Sequence, residues 1–315
     1  MELPKGDSTD VAPGTKHTIT YLPPAASTLP CNIFEPLSSK VYTIFGLTPG
    51  ANPPNFMEIV LERIAAGKKI WEFAGRAVVD IGEGVIIKVG DDLDPDEAGS
   101  LRFLEAHAPT LPAPRCMGLL SIGRHSLLFM TRIPGDPLES RWTGLSAQSK
   151  VDIQQSLDKT ISVLRSLDKP EGQPFGSSSG RCRDTRRSNR YTELPVHDEA
   201  TFNRFLLSSP QPRISSGYKA WIESMLRTNH RIVFTHGDLH PRNIMVADSQ
   251  DGGIILSGLL DWEASGFYPE YWEHLKAVNT RDTRDDSDWW SHLPPAIVGY
   301  DQEIAVDRLL EQILA

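Results

Sequence analysis

Three cysteines in a chain of 315 residues, Cys31, Cys116 and Cys182, are too scattered to form a metal-ligand motif, and their odd number leaves no closed disulfide framework. A reducing compartment follows as the expectation, and with it a cytoplasmic location. No apolar stretch approaches the length of about eighteen residues that a membrane-spanning helix needs. The first sixteen residues, MELPKGDSTDVAPGTK, lack the apolar core of a secretory signal. There is no internal repeat. An excess of positive charge is also missing. With 32 Lys and Arg against 41 Asp and Glu the net charge is −9, so nucleic acid is not an expected partner and neither is a membrane.

What the chain does have is enough apolar material, 39% of its residues, to build two cores. Residues 1–40 are rich in Pro, Ser and Thr with weak periodicity, and read as an arm. Residues 55–67 read as a short amphipathic helix ending at Gly67, and 69–90 as strand, turn and strand about Gly82-Glu-Gly84. Leu101, Leu104 and Ala108 recur at helical spacing after Asp96. The stripes in 146–168 and 217–228 read as core faces of further helices. Residues 170–195 contain Gly176-Ser-Ser-Ser-Gly180 and then Arg181, Arg183, Arg186, Arg187 and Arg190 without periodicity, which reads as a solvated loop.

The chemistry is concentrated in residues 234–263. Ile232 to Thr235 is an apolar run feeding a loop that holds His236, Asp238 and, five positions after the aspartate, Asn243. Two apolar runs follow, 244–247 and 254–260, joined by the polar, Gly-rich 248–253, and then comes Asp261. A hairpin of that kind carries Asn243 at its entrance and Asp261 at its exit. One amide oxygen and one carboxylate suit Mg2+, which prefers oxygen ligands and keeps several waters. Asp238 is then available to orient a hydroxyl and accept its proton. Phosphoryl transfer asks for little more than this positioning and charge neutralisation.

His236-Gly-Asp-Leu-His-Pro-Arg-Asn243 with Leu260-Asp-Trp-Glu263 resembles the catalytic and metal-binding loops of the aminoglycoside phosphotransferase family, which is related to the choline kinases. The longer run from Asp261 to Glu273 is most similar to its fungal branch. Protein kinases carry His-Arg-Asp and Asp-Phe-Gly in these places, whereas Gly237 precedes Asp238 here and Trp262 follows Asp261. The resemblance implies an α+β fold of two lobes, protein-kinase-like, with a small β-rich N-lobe (41–131) and a larger, mostly helical C-lobe (132–315). It implies ATP and Mg2+ as cofactors, with Asp238 as base, Asn243 and Asp261 as metal ligands, and His236 orienting the loop. Lys88, in the β-branched stretch Val85–Val89, corresponds to the phosphate-holding lysine, and Glu97 on the next helix is the candidate to pair with it. Adenine would meet backbone between Met130 and Arg132, where the strand 127–133 ends in Pro134-Gly135. The glycine-rich phosphate loop of kinases is not evident, its only counterpart being Phe73-Ala-Gly-Arg-Ala77 with one glycine.

The acidity is unevenly placed. From Asp261 to the C-terminus there are twelve carboxylates against four Lys or Arg, densest in 281–288 and followed by Trp289-Trp290. By the same resemblance the acceptor site lies in this lobe, so the expected partner is a small-molecule acceptor, cationic or amine-bearing, drawn in by charge. The readings from other classes are a nucleotide-binding regulator without acceptor chemistry and a protein Ser/Thr kinase.

Overall fold

Alternation builds the first sheet. In β3 (Arg76–Gly82) Ala77, Val79 and Ile81 are buried and the residues between them are not, the period expected of a strand with one face on a core. β3 pairs antiparallel with β4 (Val85–Asp91) across the Gly82-Glu83-Gly84 turn, and with β2 (Lys68–Phe73) on its other side. The turn between β2 and β3 is only two residues, Ala74 and Gly75, both left-handed (φ 49° and 78°), the geometry that suits the twist of a tight hairpin. The stretch Phe73-Ala-Gly-Arg-Ala77, the counterpart of a phosphate-covering loop, is therefore a short hairpin tip. With β1 (Cys31–Glu35), β5 (Cys116–Ile122) and β6 (His125–Thr131) the sheet has the order β1-β5-β6-β4-β3-β2.

The computed structural model describes residues 29–91, 93–184, 190–279, 281 and 284–314. Most of the amino-terminal arm, together with Arg186 and Arg187, lies outside these. The chain divides into two units, the first running to Leu93 and including Met117–Met130, the second made of Asp94–Cys116 and Thr131 onward. In the first unit α1 (Ser39–Ile44) and α2 (Phe56–Ala66) cover the sheet, burying Val41, Val60 and Ile64 against Val79, Ile87, Leu120 and Phe129. Phe45 meets Phe56 and Phe129 edge-on, with ring centroids 6.4 and 5.9 Å apart.

The second unit begins with α3 (Asp96–His107). Its longest helix, α5 (Ala147–Arg165), is capped by Ser146, whose Oγ accepts the Ser149 N–H, and buries Ile153, Leu157, Ile161 and Leu164 along one stripe. The short β7 (Asp136–Pro137), followed by α4 (Leu138–Arg141), lies beside β11 (Ile244–Asp248), which forms a hairpin with β12 (Ile254–Leu259). β8 (Arg183–Asp184) and β9 (Arg190–Tyr191) form a small ladder. α6 (Glu199–Leu206), α7 (Ser216–Glu223), α8 (Trp272–Asn279) and α9 (Asp301–Ile313) enclose a core around Phe202, Ile222, Trp272 and Leu310. β10 (Ile232–Thr235) pairs with β13 (Gly266–Pro269).

Candidate active site

Two strand pairings bring the motif residues together. β10 and β13 run antiparallel from Ile232↔Pro269 to Thr235↔Gly266, so the chain leaving β10 at His236 lies beside the chain entering β13. The β11–β12 hairpin closes the other end, and the Leu260 N–H donates to the Asn243 carbonyl at 2.8 Å. Residues 236–243 and 260–265 thus adjoin. At their closest point stands Gly237 (φ 81°), where a side-chain carbon would run into the Ala264 carbonyl. This contact explains a glycine before Asp238 better than any preference of the loop itself.

His236 is fully buried, and both of its ring nitrogens are in use. Nε2–H donates to the Leu260 carbonyl at 2.9 Å, and Nδ1 accepts the Asp238 N–H at 3.2 Å. A carbonyl only accepts and an amide N–H only donates, so these bonds assign the neutral ring with its proton on Nε2. His236 thus ties the Asp238 N–H to the Leu260 carbonyl. Behind it, Glu273 of α8 is 2% exposed and accepts the N–H groups of His236 (2.6 Å) and Gly237 (3.1 Å). Burial pushes the Glu273 carboxyl above its usual range, with the N–H bonds from His236 and Gly237 acting the other way.

Asp238 follows. Asn243 Nδ2 donates to the Asp238 carbonyl at 2.9 Å and to its Oδ2 at 2.8 Å. Arg242 Nη2 lies 2.9 Å from each carboxylate oxygen. With both Nδ2 hydrogens committed, Oδ1 is the Asn243 atom that a cation can use. His240 caps the single 3-10 turn 241–243, its Nδ1 accepting the Arg242 N–H at 3.2 Å. Burial, aided by the Arg242 charge, lowers the His240 pKa from 6.5 to about 4.

A folded-state pKa below the unfolded value contributes stability that is present above pH 6.5 and lost as the pH falls through about 4. His240→Asn keeps a capping side chain and removes the titration. It should lose about 2 kcal/mol less than the wild type between pH 6.5 and 4 in urea unfolding, the partial exposure of the ring being allowed for. Equal losses in the two proteins would contradict this.

Asp261 sits in the left-handed region (φ 63°, ψ 70°) at the head of the 3-10 turn Trp262–Ala264, a conformation that Asp tolerates better than most residues but that still carries strain. A ligand oxygen of Asp261 lies within 4.8 Å of carboxylate oxygens of Glu97 and Glu263. α3 packs on this turn, and its Phe103 stacks on Phe234 of β10 at 5.2 Å. Two carboxylates about 4 Å apart repel by ~1 kcal/mol in water and ~4 kcal/mol at an effective dielectric of ~20, so three together call for positive charge. Arg183 supplies one, with Nη2 3.2 Å from Glu263 Oε1 and Nη1 3.3 Å from the Glu263 carbonyl. This all-oxygen donor set suits a hard divalent cation such as Mg2+.

The remaining motif residues are placed as follows. Lys88 is buried at mid-strand in β4, and Met130 is buried near the end of β6, both in the first unit. Arg132 is exposed just after β6 and belongs to the second unit. Glu97, 3% exposed, lies in the acidic group with Asp261. Sequence reasoning missed Glu273, Glu263 and Arg183. Both glutamates stand inside the motif runs, Glu263 at the end of Leu260-Asp-Trp-Glu263 and Glu273 within the apolar Tyr271-Trp-Glu-His-Leu275, but without a role of their own, and nothing local marks Arg183. In the acidic stretch near the C-terminus, Asp285 and Asp288 are engaged within the protein. Asp285 accepts the Ser287 N–H and Trp290 Nε1–H, and Asp288 accepts from Trp142 Nε1 at 2.7 Å and Lys150 Nζ at 2.8 Å. The hydrogen bond from Lys150 leads in holding the Asp288 carboxyl below its usual range. Trp290 stands beside His240, their ring centroids 6.1 Å apart.

The profile of the phosphotransferase enzyme family matches residues 92–292. Among solved structures, the aminoglycoside phosphotransferase APH(2")-IIa in complex with gentamicin gives a TM-score of 0.53 at 12% identity, over 83% of this chain and 86% of that one. APH(2'')-Ib with bound ADP gives 0.50, also at 12% identity, over 77% and 80%. At such identities the likeness is one of fold, and the expected kinase-like α+β architecture is the one observed. No curated protein sequence matches the chain.

Proposed function

The chain belongs to the phosphotransferase enzyme family, and from that membership we propose that it transfers the γ-phosphoryl group of ATP to a hydroxyl of a small molecule. The observation that carries this reading is the arrangement around Asp238. Its backbone is fixed through His236 and Glu273, its carboxylate is oriented by Asn243 and Arg242, and the second oxygen donor set, at Asp261, follows the same hairpin. Asp238 is the proposed base for the acceptor hydroxyl. Asn243 Oδ1 and Asp261 are the atoms that would hold Mg2+, which when bound neutralises phosphate charge. Lys88 is assigned to the α- and β-phosphates, with Glu97 on the side of the cofactor site, and the backbone from Met130 to Arg132 to adenine.

An amine-bearing, cationic acceptor is favoured by the threefold excess of acidic over basic residues after Leu260, twelve against four. Asp285 and Asp288 already have partners, so long-range attraction is a better role for them than direct ion pairing with the acceptor. Acceptor KM should accordingly rise with ionic strength, and a KM insensitive to salt would remove the charge argument.

Thermal unfolding with ATP and Mg2+, on the wild type and on Asp261→Ala, tests the nucleotide site. A ligand at about a hundred times its Kd adds ~2.7 kcal/mol to the wild type, and the variant should lose the Mg2+-dependent part. No shift at any concentration would rule out a working nucleotide site. A shift without transfer to any acceptor would favour a nucleotide-binding regulator.

A further inference from the structure

Residues 176–184 are solvated only in part, at Ser178, Ser179 and Arg181; the segment joins β13 at Gly176 and ends on the acidic group. Gly176 and Phe267 exchange two backbone hydrogen bonds of 2.7 and 2.8 Å. That approach requires the absence of side chains, because a carbon added to Gly266 would strike the Gly176 carbonyl. The three serines that follow close on α3. Asp96 accepts Ser177 Oγ–H (2.6 Å), Ser178 Oγ–H (3.0 Å), and both the N–H (2.9 Å) and Oγ–H (2.8 Å) of Ser179. Gly99 opens the helix surface for this, since a side-chain carbon there would collide with Ser178.

Beyond the serines the segment is fixed again. The Arg183 N–H donates to the buried Tyr268 hydroxyl at 3.1 Å, and Asp184, fully buried, accepts from Lys276 Nζ at 2.8 Å and pairs with Arg190. Arg183 is therefore anchored on both sides, and its side chain is only 11% exposed. Its guanidinium grips both the carboxylate and the carbonyl of Glu263 and stands over the Tyr191 ring, 5.8 Å from its centroid.

We propose that Arg183 is a positioning residue that withholds Glu263 from the cation. A divalent ion is then held through Asp261 and Asn243 together with nucleotide phosphates, and not by three carboxylates alone. The inference rests on the phosphotransferase reading of Asp261 and Asn243. Glu97, Asp261 and Glu263 converge within 4.8 Å, and three carboxylates so close would bind a divalent ion whether or not nucleotide is present. Arg183 occupies one oxygen of Glu263 and offsets one of the three charges, which makes metal capture depend on the phosphates. A lysine at this place would retain the charge without the planar grip on two oxygens.

The test uses Mn2+ as probe, with free Mn2+ counted by electron paramagnetic resonance on the full chain, alone and with AMP-PNP. The wild type should hold Mn2+ weakly by itself and more tightly with the nucleotide. Arg183→Gln should tighten nucleotide-free Mn2+ binding by about tenfold or more, because a positive charge beside the site is gone. Arg183→Lys should stay near the wild type, and the double variant Arg183→Gln with Glu263→Gln should return to it. Unchanged or weaker Mn2+ binding in folded Arg183→Gln would overturn the proposal. Should that variant fail to fold, Glu263→Gln decides. Mn2+ affinity with AMP-PNP retained within about threefold supports the proposal, and a loss of about tenfold makes Glu263 a ligand and overturns it. If the wild type does not bind Mn2+ even with AMP-PNP, the phosphotransferase reading fails instead.

Discussion

Replacing Asp238 by alanine is expected to lower kcat by roughly 10²–10⁴-fold or more while ATP affinity stays close to that of the wild type. The asymmetry follows from the contacts. Asn243 Nδ2 keeps its bond to the Asp238 carbonyl, which is backbone and survives the substitution. The loop keeps its anchors at His236 and Glu273, neither of which touches the Asp238 carboxylate. What disappears is the oxygen pair that would take the hydroxyl proton, together with the partner of Arg242. Initial rates of ADP release at saturating acceptor, set beside calorimetric binding of ATP with Mg2+, separate the two effects. Turnover comparable to the wild type would remove Asp238 from the base role. Equal loss of nucleotide affinity would mean that its carboxylate belongs to the metal site.

The parts legible in the sequence are those set by short-range rules. The alternation in β3, the helical stripes of α2 and α5, and the polar turn between β11 and β12 follow from the periods of strand and helix. Asp238 and Asn243 touch because only five positions separate them within one loop. The course of residues 176–184 was not legible, because it is decided by distant partners. Asp96 lies 81 positions before Ser177, and Glu263 lies 80 after Arg183. A basic run with no periodicity carries no sign of carboxylates that reach it only through folding. The position of Glu97 was hidden for a similar reason. Its place on α3 is a local fact, but its proximity to Asp261 depends on how that helix packs on the 262–264 turn. The hairpin tip at Ala74-Gly75 shows the converse, since two adjacent left-handed residues are enough to close the turn there.

Glu273→Ala should destabilise the protein by about 3–5 kcal/mol, the cost of leaving buried donors without their charged acceptor. Both oxygens serve as acceptors, Oε2 for the His236 N–H and Oε1 for the Gly237 N–H, at a site with 2% exposure where water has little access. Because total stability is typically about 5–15 kcal/mol, the alanine variant should be marginal at 37 °C. Glu273→Gln is the more informative change. Its amide oxygen can satisfy one N–H, but its NH2 then faces the other, donor against donor. The cost should fall to about 1–3 kcal/mol with the chain still folded. Since His236 and Gly237 directly precede Asp238, the shift needed to relieve that clash displaces the proposed base. Urea unfolding of Glu273→Gln should therefore show a lower midpoint with an unchanged slope, and kcat should fall more than nucleotide affinity. A variant with the wild-type midpoint and wild-type kcat would show that the loop holds its form without this carboxylate.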